Sequence, residues 1–258
     1  MKAKIMAIIW RYVIAFMPVF YTCAAYSQQA PSDQETEKNF KNTIRYNLTG
    51  PTLFGQDYVV FGYERHLKRN QTASLNIGRM GLPEFRTDNL DSISIASNRD
   101  KNGFHISADY RFYLEGMNRH EAPRGVYIGP YYSYNQISRE NTWDIAAGAA
   151  GYQRMSTLDV KIHTIGFEMG YQFVFWKRLA VDLVMLGPGI ANYDIGATFA
   201  SDIPPGERSE LQVKLVDALK KKFTGLNEVI EEGQLDKDGN YNTWDVGYRY
   251  IVQVGFRF

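Results

Sequence analysis

The feature that most constrains the fold is a strict alternation of apolar and polar side chains, which is most regular at the end of the chain. Between residues 248 and 258, every even position is aromatic or valine, and the odd positions are Arg, Ile, Gln and Gly. A period of two places the two sets of side chains on opposite faces of an extended strand. The pattern therefore predicts a β-strand with one apolar face and one polar or small face.

Seven earlier segments repeat this alternation. The eight predicted strands lie at residues 44–49, 59–66, 73–78, 104–114, 126–137, 165–175, 179–186 and 248–258. The fifth is the least clear of them, because it carries tyrosine on both faces and contains Pro130. The chain is thus expected to be all-β and antiparallel.

Eight such strands fit either a soluble sandwich or a transmembrane barrel. A soluble sheet turns its polar face to water, whereas a transmembrane barrel turns its apolar face to lipid and its polar face inward. The faces opposite the aromatics carry glycine at Gly62, Gly78, Gly166 and Gly170, mixed with charge. Small residues suit the inside of a narrow barrel, where there is little room. The sequence therefore favours an eight-stranded antiparallel transmembrane β-barrel.

Residues 1–27 have the features of a secretory signal peptide. A positive start precedes an apolar stretch, and Ala25 and Ser27 are small residues at the −3 and −1 positions of a cut. Two alternatives are an uncleaved membrane anchor and a lipoprotein cut before Cys23. We divide the chain into this signal peptide, a periplasmic leader at 28–41 and an outer-membrane barrel at 42–258.

The composition excludes several classes of function. Three of the 29 Lys and Arg lie in the signal segment, which leaves 26 against 28 Asp and Glu. This near-neutral balance argues against nucleic acid as a partner. The single cysteine of the chain also lies in that segment, so a processed chain has neither disulfides nor thiolate chemistry.

The connections are predicted to differ between the two ends of the barrel. Periplasmic turns are expected at residues 68–71, 115–125 and 176–178, and outer loops at 50–57, 81–103, 138–160 and 200–245. Short periplasmic turns and longer outer loops are typical of bacterial barrels.

A helix is predicted at 209–232, inside the last outer loop. Ser209 and Gln212 form a capping box, and apolar residues recur at spacings of three or four from Leu211 to Ile230. This apolar stripe is expected to pack on the other loops or the barrel rim. A partner protein or lipopolysaccharide, attracted by the lysines at 220–222, is the alternative.

Charged side chains are predicted on the inward faces of the strands. This predicted lumen network consists of Arg45, Glu64, His66, Asp109, Arg111, Glu168, Asp182, Arg249 and Arg257. Because an unpaired charge in a low-dielectric interior costs several kcal/mol, we expect cations and anions to pair and to plug the lumen. A narrow proton or solute path through the network is the alternative.

Two further motifs are candidate sites of chemistry. His105 and Ser107 share one strand face, and a histidine beside a serine can act as its base. The alternation turns both to the lumen, where a lipid ester would not reach them. The segment 236–240 resembles a calcium loop, but Gly239 stands at its fourth position instead of the sixth. We therefore expect no catalysis, no metal and no cofactor.

Three segments resemble small eight-stranded outer-membrane β-barrel proteins of Gram-negative bacteria, the OmpA/OmpX/OmpW-like barrels. They are Tyr-Arg-Phe-Tyr-Leu at 110–114, the run at 122–131 and the terminal Gly-Phe-Arg-Phe at 255–258. The resemblance implies insertion by the barrel-assembly machinery, which would read Phe256 and Phe258 as its signal. It also implies contact with outer-membrane lipid and lipopolysaccharide.

The resulting expectation is a non-enzymatic protein of the cell outer membrane. It would act in envelope structure or in surface interaction through its long outer loops, where a surface partner would bind. The alternatives are a lipid-A-modifying hydrolase, a narrow small-solute pore and, on the structural side, a soluble periplasmic sandwich.

Overall fold

The computed structural model describes most of the chain after residue 39. The described residues are 40–54, 57–81, 93–118, 120–145, 152–199, 213 and 240–258, within one compact unit that spans Phe40–Phe258. The predicted signal peptide, most of the predicted leader and, apart from Val213, the predicted helix at 209–232 lie outside the described residues.

The described residues form ten strands and one short helix. The elements are β1 Asn42–Asn47, α1 Thr49–Phe54, β2 Val59–Lys68, β3 Gln71–Arg79, β4 Ile93–Tyr113, β5 Gly125–Ile145, β6 Tyr152–Phe175, β7 Leu179–Leu186, β8 Pro188–Phe199, β9 Asn240–Tyr248 and β10 Ile251–Arg257. Both β7 and β8 pair with β6, β8 pairs with β9, and β10 pairs with β7 and β1. If β7 is counted with β8 and β9 with β10, the sheet closes into an eight-stranded antiparallel barrel. This confirms the predicted all-β class and the predicted number of barrel strands.

The closure has a defined stagger. Residues that lie directly opposite one another on neighbouring strands form a row around the barrel. The row starts at Tyr46 and continues with Phe61, Ile77, Ile106, Tyr134, His163, Asn192 and Trp244. Tyr46 is also directly opposite Val254, so the row returns shifted by ten residues (254 minus 244). Such a shift requires strands that tilt by about 35–45° to the barrel axis.

The seventh strand is interrupted between β7 and β8. Pro188 has no backbone N–H to donate to a ladder, and proline is confined to strand ends and irregularities for this reason. The register of β6 against β7 shifts between Met169 and Gly170, and the Arg249 N–H donates to the Gly187 carbonyl at 2.9 Å. At the interruption, the link between β7 and β8 therefore keeps one backbone hydrogen bond to the link between β9 and β10.

The predicted turns coincide with the observed connections, but two predicted outer loops were wrong. β4 already begins at Ile93, inside the predicted loop at 81–103. β5 runs to Ile145 and β6 starts at Tyr152, so most of 138–160 is paired strand. Residues 138–144 are polar on both faces except for Trp143, and for this reason they give no alternation of hydrophobicity.

The other two predicted outer loops also contain regular structure. The helix α1 occupies most of the predicted loop at 50–57, and β9 starts at Asn240, within the predicted loop at 200–245. Five strands thus continue beyond the rest of the barrel. We call this part the strand extension, and it comprises residues 93–103, 136–145, 152–164, 191–199 and 240–246.

The barrel below the extension is apolar outside and polar inside. Large apolar side chains on its outer face are 40–69% exposed, and examples are Ile44, Phe61, Leu75, Phe112, Ile165 and Phe167. Most buried side chains of the same strands are polar or charged, and they include Arg45, Glu64, Asn76, Arg111, Gln172, Asp182 and Gln253. The core of this part is therefore a set of polar contacts.

The strand extension has a mixed distribution. Its inner face buries Ile137, Trp143, Leu158, Val160 and Ile195, and with them the polar Arg139, Asn141 and Ser156. Its outer face carries polar residues, among them Gln136, Glu140, Asp144, Gln153 and Lys161. On β6 the change falls between Lys161 and Ile165, and on β5 between Tyr134 and Gln136. The two parts of one continuous sheet therefore present different side chains on their outer faces.

Inward glycines make room for two lumen tyrosines. A side chain at Gly170 would collide with the Tyr127 hydroxyl and with the backbone of Leu183, and one at Gly166 would meet the Tyr131 ring. These two glycines of the predicted polar face thus leave space for tyrosines of the neighbouring strand β5, which lie directly opposite them.

The substitution Gly170→Val should lower the free energy of unfolding by about 1–3 kcal/mol, because the added atoms overpack a site bounded partly by backbone. Urea-induced unfolding followed by tryptophan fluorescence measures this loss. Gly116→Ala is the matched control, since a Cβ there meets nothing within 4 Å. Equal midpoints for the two variants would contradict the packing role.

Candidate functional site: the charged lumen cluster

The polar core of the barrel centres on one group of ionisable side chains, supplied by five different strands and by the link between β9 and β10. We call this group the lumen cluster, and it consists of Arg45, Glu64, Asp109, Arg111, Glu168, Asp182 and Arg249. Each side chain points inward because it occupies the polar phase of its strand's alternation. Seven of the nine residues in the predicted lumen network are thus brought together.

Arg111 contacts more carboxylates than any other described residue of the cluster. Its Nε donates to Asp109 Oδ2 at 2.8 Å and to Glu168 Oε1 at 3.2 Å, and its Nη1 donates to Asp182 Oδ2 at 2.7 Å. Its guanidinium also lies 4.3 Å from the centre of the Tyr127 ring. Because the Arg111 side chain is 0% exposed, these contacts replace its hydration.

The other two arginines contact the same carboxylates from two sides. Arg45 Nη1 donates to Asp182 Oδ2 at 2.8 Å and lies 3.9 Å from Glu64 Oε1. Arg249 approaches the far oxygens of Asp109 and Glu168, each at 3.6 Å. Every carboxylate of the cluster therefore has at least one arginine within ion-pair distance.

Uncharged side chains occupy further positions around the carboxylates. Thr72 Oγ1 and Gln172 Nε2 donate to the two oxygens of Glu64, at 2.9 and 3.0 Å. The Tyr127 hydroxyl donates to Asp182 Oδ1 at 2.7 Å, and the Tyr113 hydroxyl donates to Gln172 Oε1 at the same distance. The sequence analysis missed these partners, although their positions on inward faces were the signal that could have identified them.

The charge of the cluster is close to balanced. Three guanidinium groups face four carboxyl groups in the lumen, and all four carboxyl groups are buried. The cluster contains no serine, cysteine or histidine that could act as a nucleophile or a base. Its geometry can therefore brace the barrel wall and fill its cross-section.

Two members of the predicted network lie away from the cluster. Arg257 donates from Nη2 to the Phe40 carbonyl at 3.1 Å and from Nη1 to the Lys177 carbonyl at 3.3 Å, at the short-turn end. His66 is half-buried near the same end. Arg257 therefore links the two ends of the barrel chain to the turn between β6 and β7.

The predicted assembly signal lies on the outer face of the last strand. Phe256 and Phe258 are 51% and 46% exposed, and the Phe258 backbone exchanges two hydrogen bonds with Asn42. The chain end is thereby paired into the barrel while its aromatic rings remain on the surface.

Within the described ranges, no group of three or more His, Cys, Asp or Glu side chains is arranged to hold a metal ion. Residues 236–239 of the rejected calcium motif lie outside the described part. Among the described residues, no helix combines the length and the apolar character that a membrane crossing requires.

Comparison of the chain with protein-family models, with curated proteins and with solved structures finds no match.

Arg111→Leu should lower the free energy of unfolding by about 3–5 kcal/mol, because it leaves buried carboxylates without their main partner. Urea unfolding measures the change. Arg69→Ala serves as the control, since the Arg69–Glu121 pair at 3.2 Å is mostly exposed and should contribute less than about 1 kcal/mol. A similar small effect for both variants would show that the cluster does not support the barrel.

Proposed function

We propose that the chain is an outer-membrane β-barrel protein with a plugged lumen, which acts in envelope structure or in surface interaction through its outer face. One observation carries the proposal, namely the inverted distribution of side chains below the strand extension. A soluble barrel would expose its charged side chains and bury its aromatic ones. Lipid around a barrel stabilises aromatic side chains on the outside and charged ones on the inside.

The height of the apolar surface supports this environment. On β6 the apolar outward positions run from Ile165 to Phe175, a span of ten steps. At about 3.3 Å per residue and a tilt of about 40°, ten steps correspond to about 25 Å along the barrel axis. Transmembrane barrels have an apolar band of about this height.

Aromatic and amphipathic side chains border the band at both ends. At the upper border the Tyr132 hydroxyl lies 2.9 Å from His163 Nδ1, and the rings of Tyr134 and His163 are 4.6 Å apart. At the lower border Trp176 is 84% exposed and Phe258 is 46% exposed. Such residues favour the boundary between hydrocarbon and water.

The strand extension supports the assignment of the outer side. Its outer face carries charged and amide residues that suit water, together with the exposed Met155, Trp244 and Val246. It lies at the end opposite to the short turns, and outer-membrane barrels direct their longer connections outward. In this proposal the extension projects from the membrane and presents the surface that meets lipopolysaccharide sugars or a partner. The barrel-assembly machinery would recognise Phe256 and Phe258.

Accessibility of introduced cysteines tests the lipid-facing band directly. Lys161 and Phe167 lie on the same face of β6, and Phe167 is the more exposed of the two, with 69% for the residue against 46% for the Lys161 side chain. In whole cells, a membrane-impermeant maleimide should label Lys161→Cys at least tenfold faster than Phe167→Cys, because lipid covers the second position. Equal labelling would contradict the membrane proposal.

Two controls complete this experiment. Lys177→Cys, in the short turn after β6, should react only after the outer membrane is permeabilised, which tests the orientation. The heated and unheated outer-membrane fractions should run differently on a gel, because a folded barrel stays compact in cold detergent. Recovery in the soluble periplasm without such a shift would reject the proposal.

The plugged lumen has its own expected outcome. In planar bilayers the purified chain should give flat current traces, because the buried lumen cluster fills the cross-section of an eight-stranded barrel. An open porin reconstituted in parallel is the positive control. Steady ion conductance would contradict the plugged lumen and favour the small-solute pore.

A further inference from the structure

A second polar group lies in the lumen toward the strand extension, separate from the lumen cluster. Ser107 Oγ is 3.2 Å from His105 Nε2, and His105 Nδ1 is 2.6 Å from Asn135 Oδ1. The serine and the histidine are two residues apart on β4, and Asn135 lies directly opposite His105 on β5. Strand pairing alone therefore places a carboxamide next to an imidazole and that imidazole next to a hydroxyl, each within hydrogen-bond distance.

The hydrogen-bond acceptors in this group determine which ring nitrogen of His105 carries the proton. The Asn135 carboxamide oxygen can only accept, so His105 Nδ1 carries the ring proton and donates it. Nε2 is then the acceptor and faces the Ser107 hydroxyl. This is the order of a nucleophile, a general base and a group that orients the base.

A fourth side chain supplies a donor beside the nucleophile. Asn76 Nδ2 donates to Ser107 Oγ at 3.2 Å, and the Asn76 carboxamide oxygen accepts from Gln253 Nε2 at 3.3 Å. Gln253 thus holds the amide with its N–H groups toward the serine. A fixed amide donor at this place can stabilise an oxyanion that forms on a carbonyl attacked by the serine.

We propose that Ser107 and His105 are the catalytic residues of a serine esterase site, with Asn135 as the positioning residue, for short acyl esters. The Ser107 oxygen would bond to the ester carbonyl carbon while its proton moves to His105 Nε2. Collapse of the oxyanion then breaks the bond to the alcohol, which takes the proton. Water, deprotonated by the same nitrogen, releases the acid and restores the serine. This activity goes beyond the structural role proposed above.

The position of the group restricts its substrates. Ser107 and His105 are 1% and 7% exposed, and the buried Tyr58 ring lies 6.2 Å from the imidazole. Their neighbours Phe104 and Ile106 occupy the outer face, so a lipid acyl chain in the membrane meets the wrong side of β4. Asn135 is half-buried and the Tyr58 ring lies beside the imidazole, so only a small soluble ester that passes these two side chains would reach the serine.

The experiment uses the full chain, purified and folded in detergent, with a small fluorophosphonate and p-nitrophenyl acetate as probes. The phosphonate should form its adduct on Ser107, identified by peptide mass spectrometry. Ser107→Ala should remove the adduct, and His105→Ala should slow both reactions by about a hundredfold or more. Ser133→Ala is the matched control, because Ser133 is also lumen-facing and lies directly opposite Ser107; it should react as the wild type does.

Asn135 is tested by rescue and by the pH profile. Asn135→Asp should retain most of the rate, whereas Asn135→Ala should slow ester hydrolysis at least tenfold. The rate should also fall at acidic pH, because only the neutral imidazole accepts the serine proton. If the role of Asn135 were limited to packing, the two Asn135 variants would hydrolyse the ester at the same rate. The rate would then also lack this dependence on pH.

One set of results would overturn the inference. If the chain shows the heat-dependent gel shift of a folded barrel, yet Ser107 takes no phosphonate and Ser107→Ala hydrolyses the ester at the wild-type rate, the site is a structural hydrogen-bonded group. Loss of the gel shift would instead count against the proposed barrel protein. Tyr58→Ala should accelerate the adduct on Ser107, and an unchanged rate there would contradict access past that ring.

Discussion

The burial of the Arg111 guanidinium among carboxylates is the constraint on which the rest of the barrel depends. Arg111 comes from β4, while the acids within 3.2 Å of it come from β4, β6 and β7. Strands that are not neighbours in the sheet are therefore tied through the lumen. Since charges removed from water are stable only when paired and hydrogen-bonded, correct closure of the barrel and satisfaction of the cluster require each other.

This polar core explains why the outer face can be apolar. A small barrel has one interior, and here charged and amide side chains fill it, leaving the aromatic residues for the outside. The tyrosines that remain inside carry hydroxyl groups that donate to lumen acceptors, and Gly166 and Gly170 leave space for their rings. In the strand extension the same sheet also buries large apolar side chains, among them Trp143 and Leu158. The side chains on the two faces, and not the strand pairing, distinguish the two parts.

Alternation in the sequence was sufficient to predict the eight strands, their inward and outward faces and the short turns. It was also sufficient to identify seven of the residues that meet in the lumen, because a strand's phase determines the face on which a side chain lies. The long outer part of β5 escaped prediction, since residues such as Ser138 and Glu140 alternate with Arg139 and Asn141 and show no apolar period. The outer part of β6 does alternate, from Leu158 to Ile162, and the prediction missed it. Backbone hydrogen bonds to a neighbouring strand extend these segments regardless of that pattern.

Local sequence thus determined the two-residue period, the placement of charge and glycine on one face, and the proximity of His105 to Ser107. Only the tertiary structure decided which charges pair, because partners such as Arg45 and Asp182 are 137 residues apart and their distance depends on barrel closure. The same holds for Asn135 and Asn76, which reach the serine and histidine from neighbouring strands through the register. A strand's own sequence sets the direction of a side chain, whereas the stagger of the closed sheet sets what that side chain touches.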